Sequence, residues 1–113
     1  MAIVVQHGYF DGDQQALDDI EKVGYYGSKI DVAPSGDTPV HWHDLSMHIY
    51  ITEGTLRVKD TATGEVHECV SGTRFYIPER ALHVEEEHRG YSAIVGRSKL
   101  EVPEPFVRLA EEL

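Results

Sequence analysis

Between residues 27 and 98 the chain is cut into short apolar segments too brief to be helices and too regularly spaced to be loops. The segments 27–32, 47–52, 55–60, 65–70, 74–77, 82–86 and 91–96 are rich in valine, isoleucine and aromatic residues. Turn-forming residues part most of them: Glu53-Gly54, Thr61-Ala62-Thr63-Gly64, Ser71-Gly72, Pro78-Glu79-Arg80 and Arg89-Gly90. β-branched and aromatic side chains suit a pleated, half-buried surface, and strands this short at this spacing pair antiparallel as a sandwich or barrel. The pattern therefore predicts an all-β core over about 27–98, flanked by an N-terminal extension, 1–26, and a C-terminal tail, 99–113.

The flanks read differently. Ala16, Leu17, Ile20 and Val23 recur at helical spacing, with Asp13 as the expected N-cap and Gly24 as the expected stop. Pro105, ahead of Phe106, Val107, Leu109 and Ala110, predicts a short C-terminal helix with Pro105 in its first turn. At 113 residues the chain is expected to be a single domain, residues 1–113. No run approaches the roughly 18–20 apolar residues that span a bilayer. The first residues lack the basic n-region of a signal peptide, so a cytoplasmic protein is expected. Cys69 is the one cysteine, expected to be a reduced, buried thiol.

Charge narrows the partners. Twenty acidic against ten basic residues give a formal net charge of −10, which repels phosphate backbones and argues against nucleic acid. The same chain carries seven histidines. In His41-Trp42-His43 the two imidazoles stand at i and i+2, the same side of a strand, where two neutral nitrogens can begin a site for zinc, iron, nickel, copper or manganese. By itself H-x-H also fits a pair of exposed loop histidines. His83, opening another strand after the Pro78 turn, supplies a third.

These residues carry a resemblance. Gly36 through His41-Trp42-His43 to Gly54 resembles the first motif of the cupin superfamily, G-x5-H-x-H-x3,4-E-x6-G, and Gly72 through Pro78 to His83 resembles the second, G-x5-P-x-G-x2-H-x3-N. Seventeen residues separate Gly54 from Gly72, as in compact single-domain cupins. The match has departures. The gap from Gly36 to His41 is one residue short, Arg80 replaces the second motif's glycine, and Glu87 replaces its asparagine. The metal-ligating glutamate is missing: its place falls on Met47 with a three-residue gap after His43, or on His48 with a four-residue gap. The resemblance implies an antiparallel jelly-roll barrel with a metal near one mouth, and pairing as a homodimer, in which Ile3-Val4-Val5 could form an exchanged strand.

Strand parity separates the two candidates. Met47, Ile49 and Ile51 share one face, and the apolar face belongs inside, so His48, Tyr50 and Thr52 point outward. The expected ligand set is His41, His43 and His83 with Met47 nearby; His48 joins only if a bulge shifts the register. Glu85 and Glu87 share His83's face as candidate bases or ligand-orienting groups. Trp42 should face away from the ligands, Tyr50 and Tyr76 outward, and Arg57 or Arg74 could anchor an acidic substrate or simply be surface residues. His7 and His67 are expected to be exposed.

The implied function is a metal-binding cupin acting on a small molecule, most plausibly a dioxygenase-like enzyme with one divalent transition metal (Fe, Ni, Mn, Zn or Cu) on three histidines. A lyase or isomerase using the same metal, a non-catalytic ligand- or metal-binding module, and a metal-free structural cupin are the other readings. Fold alone does not choose among them.

Overall fold

The computed structural model describes residues 2–113. Seven of the ten strands fall within a residue or two of an expected segment, and β1, β3 and β10 lie outside those segments: β1 Val4–Gln6, β2 Tyr26–Val32, β3 His41–Trp42, β4 Met47–Gly54, β5 Leu56–Asp60, β6 Val66–Cys69, β7 Arg74–Ile77, β8 His83–Glu85, β9 Tyr91–Arg97 and β10 Arg108–Leu109. They form two five-stranded antiparallel sheets, ordered β1-β7-β4-β9-β2 and β10-β3-β8-β5-β6. Ile51, Phe75, Ala93 and Val95 of the first sheet meet Leu56, Val58 and Cys69 of the second in one buried cluster. In β5 the alternation is complete: Leu56, Val58 and Asp60 are buried, while Arg57 and Lys59 are exposed.

A second apolar cluster lies on the outer face of the first sheet. Helix α1, Gly12–Lys22, sets Ala16 and Ile20 against Tyr50 and Ile94. A Cβ at Gly96 would stand 2.9 Å from Ile20, so glycine there is what lets helix and sheet approach this closely. Asp11 rather than Asp13 precedes the helix, its N–H donating to the Gln15 side chain at 2.8 Å, and Asp13 falls in the first turn. Of the four apolar residues at helical spacing, Leu17 and Val23 are exposed, because only the Ala16–Ile20 stripe points at the sheet. Tyr50 is on the outer face as parity requires, yet it is fully buried because α1 covers it.

Two of the three motif glycines, Gly54 and Gly72, mark the corners. Gly54 and Gly72 have φ of +80° and +93°, a region that L side chains rarely enter, and a Cβ at Gly54 would lie 2.6 Å from the Gly90 carbonyl oxygen. Arg80, standing where the second motif has glycine, keeps the glycine-like backbone at φ +67°. At the C-terminus the expected helix shrinks to a single 3-10 turn, Ala110–Glu112. The residues after Pro105 instead extend into β10, which pairs with β3 through Arg108↔Trp42 and Leu109↔His41. Pairing with the open edge of β3 satisfies more backbone groups than an isolated helical turn would. β1 pairs with β7 of its own chain. No helix among the described residues is long and apolar enough to cross a membrane.

Candidate metal centre

β3 delivers His41 and β8 delivers His83 as directly opposed residues of an antiparallel pair. His43 follows β3 by one residue and points to the same side. All three are buried, at 1%, 4% and 1% exposure, and one ring nitrogen from each lies within 4.8 Å of the others. The ring centroids are 4.2–5.1 Å apart.

The other nitrogens are committed. His41 Nδ1 donates to the Pro39 carbonyl at 2.8 Å, His43 Nδ1 to the Phe106 carbonyl at 2.8 Å, and His83 Nδ1 to the Ala81 carbonyl at 2.9 Å. A carbonyl can only accept, so each Nδ1 carries the proton and each Nε2 presents a lone pair. His83 Nε2 is buried with no hydrogen-bond partner among the described residues. Burial pushes His43 and His83 down to about 4, against the pull of their carbonyl partners, so both rings are neutral at pH 7. Three imidazoles held in one orientation, two of them kept neutral by burial, around an unsatisfied nitrogen fit a divalent transition metal.

His43 and His83 border a cavity of about 300 Å³ between the sheets. Its walls are mostly apolar, including Ile30, Ile49, Phe75, Ile77 and Val95. Met47 is on this wall, where parity places it. His48 is not: the register of β4 with both neighbours is unbroken from Met47 to Ile51, and the irregularity comes later, between Ile51 and Glu53. His48 accordingly faces outward, between the rings of Tyr25 and Tyr76.

Of the two candidate carboxylates, the cavity takes Glu85, which accepts the Tyr91 hydroxyl at 2.8 Å. Burial and the adjacent Glu85 carboxylate both raise Tyr91's affinity for its proton, so it remains a donor. Glu87 lies past the end of β8, exposed in a surface groove beside Ser35 and His88. The strand stops at Glu85, so the parity that linked Glu87 to His83 no longer applies there. Arg57 pairs on the exterior with Glu86 at 3.0 Å and Glu68 at 3.4 Å, and Arg74 pairs with Asp19 at 2.7 Å beneath α1. Neither borders the cavity. Trp42 points away from the histidines, its indole N–H donating to the Leu109 carbonyl at 3.0 Å. His7 is exposed, and His67 is half-buried beside Glu65.

Three features of the site lie outside the motifs. The tail is part of it: besides accepting from His43, Phe106 stacks on that ring at 4.2 Å and, with Val102, lines the cavity. Asp60, opposite His83 across the β5–β8 pair, is buried and accepts the Ile3 and Ala62 N–H groups, each at 2.9 Å. Arg97 is on the cavity wall, and the alternation Tyr91, Ala93, Val95, Arg97 along β9 is the sequence signal that would have found it.

Neither a family model nor a curated protein matches the sequence. Solved structures do. The polyketide cyclase RemF from Streptomyces resistomycificus superposes with a TM-score of 0.58 at 24% identity, over 76% of this chain and 60% of that one. The WlaRB TDP-quinovose 3,4-ketoisomerase from Campylobacter jejuni gives 0.59 at 16% identity, over 77% and 72%. Bacillus subtilis oxalate decarboxylase, a protein with Mn(II) centres, gives 0.57 at 18% identity, over 79% of this chain and 25% of that one. The chain thus spans 60% of the cyclase and a quarter of the decarboxylase. The two antiparallel sheets, the motif glycines at their corners and these superpositions agree: the chain is a small cupin-like domain in fold.

Proposed function

We propose that this domain is a small-molecule metalloenzyme of dioxygenase-like type, holding one divalent transition metal on His41, His43 and His83. The observation that carries the reading is the set of three buried imidazoles, each fixed through Nδ1 to a backbone carbonyl and free at Nε2, beside an apolar cavity. With no carboxylate among the ligands, such a metal when bound supplies strong Lewis acidity and, if it is iron, manganese or copper, one-electron chemistry toward dioxygen. The chain's own groups do the rest. The apolar walls exclude water, Met47 offers at most a weak thioether, and Glu85 is placed to take a substrate proton while Tyr91 holds it in position.

A lyase or isomerase using the same site is the second reading. It is favoured by the carboxylate-free ligand set and by the resemblance in fold to a ketoisomerase and a decarboxylase. Metal analysis of purified wild-type and His83→Ala protein tests the centre: about one metal per chain is expected in the first and little in the second, and equal contents would refute it. Oxygen uptake by the iron(II)-loaded protein with a panel of diketones, thiols, phenols and hydroxy acids then separates the two chemistries. Assembly as a homodimer goes with this proposal, and a monomeric mass by light scattering would remove it.

A further inference from the structure

A guanidinium facing an apolar cavity without a counter-ion is costly, because burial strips its water and nothing replaces it. Arg97 is half-buried on the wall of such a cavity. It ends β9 opposite Met47 of β4 and Tyr26 of β2, on the inward face with Tyr91 and Val95. Its Nε is buried with no hydrogen-bond partner, and it makes no ion pair among the described residues. Arg57 is paired with Glu86 and Glu68 and Arg74 with Asp19 and Gln6, while Arg108, whose Nε is likewise without a partner, lies over the Trp42 ring at 5.5 Å and does not line the cavity. The carboxylate that shares the cavity, Glu85, is taken up by the Tyr91 hydroxyl and lies beyond salt-bridge distance of Arg97. Around that cation the walls are Ile30, Ile49, Phe75, Ile77 and Val95, and the volume, about 300 Å³, sits at the small end of ligand pockets.

We propose that Arg97 is the anion anchor of this cavity, binding the carboxylate of a small substrate whose body is apolar. A planar guanidinium matches a carboxylate through two parallel N–H···O bonds, and in a low-dielectric cavity that pairing is strong and selective. The neighbouring walls then select a hydrocarbon or aromatic body over a polyhydroxylated one. The inference deepens the proposed metalloenzyme and rests on it for the reaction. The anion contact itself can be read without metal.

Benzoate is the probe, with benzamide as its neutral isostere. The chain has two methionines, and Met47 lines the cavity, so a 13C-methyl methionine label reports on the site directly. Titrations are run on metal-free and zinc-loaded wild type, Arg97→Gln and Arg97→Lys, with each variant's fold checked by its amide NMR spectrum. Benzoate is expected to shift the Met47 methyl signal in metal-free wild type. Its affinity should fall about ten- to a hundredfold in Arg97→Gln, the range for hydrogen bonds to a charged group, and partly recover in Arg97→Lys. Benzamide should not discriminate among them. Benzoate binding is read first in the metal-free protein, so failure of the metal centre leaves the anchor readable. No benzoate-dependent shift in wild type, or equal benzoate affinity in Arg97→Gln, would overturn the proposal.

Discussion

Deleting residues 106–113 should weaken metal binding although it removes no ligand. The deletion takes away the Phe106 carbonyl that accepts from His43 Nδ1 at 2.8 Å, the Phe106 ring stacked on His43, and β10 with its Leu109 carbonyl on the Trp42 indole. His43 would then be free to exchange tautomers and to rotate, and a neutral imidazole protonated at Nε2 offers no lone pair there. Partners of this kind are worth about 10–100-fold in metal affinity, or about 1.4–2.8 kcal/mol. The assay is zinc competition against a chromophoric chelator, with thermal melts of the metal-free proteins alongside. Phe106→Ala is the informative comparison, because it keeps the carbonyl and loses the ring, an aromatic contact worth about 0.5–1.5 kcal/mol. Its zinc affinity should stay near wild type while the deletion's falls. A folded deletion protein with wild-type affinity would refute the reasoning, as would a Phe106→Ala loss equal to the deletion's.

Asp19 accepts from Arg74, Tyr9 and Tyr50 where α1 meets the sheet. Asp19→Ala should cost about 2–3 kcal/mol in urea unfolding, since Arg74 is left half-buried without its counter-ion. Burial alone would raise the Asp19 pKa, but the hydrogen bonds from Tyr50, Arg74 and Tyr9 outweigh it and hold the carboxyl below its usual range. A depressed folded-state pKa contributes stability above the unfolded value, about 3.9, and loses it as the pH falls through the folded one. Wild type should therefore lose stability below about pH 4 more steeply than Asp19→Ala, and parallel profiles would count against this network. Arg80→Gly should raise the unfolding free energy by about 1 kcal/mol, because the backbone already sits at φ +67°; a lower melting temperature would contradict that. Burial pushes the Cys69 thiol up to about 12, so iodoacetamide should label it only under unfolding conditions, and rapid native labelling would refute its placement.

The strands were readable because their signal is local. Alternating apolar residues and turn residues specify a strand wherever its partners lie, so 74–77 was placed to the residue and most others to within two. Parity did the same for Met47 and His48: one residue of offset in a strand reverses the face, and an unbroken register kept the two apart. Parity failed at Glu87, since it holds only as far as the strand does, and β8 ends at Glu85. The tail misled for a related reason. Pro105 and the apolar residues after it suit a first helical turn, but the open edge of β3, more than sixty positions away in sequence, offered the better partner.

By itself the sequence determined the β architecture, the glycine corners and the histidines that could converge, because each depends on residue type and short spacing. Only the tertiary structure decided what surrounds them. It joined Phe106 to His43, buried Asp60 opposite His83, covered Tyr50 with a helix, and left Arg97 in the cavity without a counter-ion while pairing Arg57 and Arg74 elsewhere. Whether a polar group is satisfied depends on every group that reaches it in space, and the spacing of residues along a chain does not carry that information.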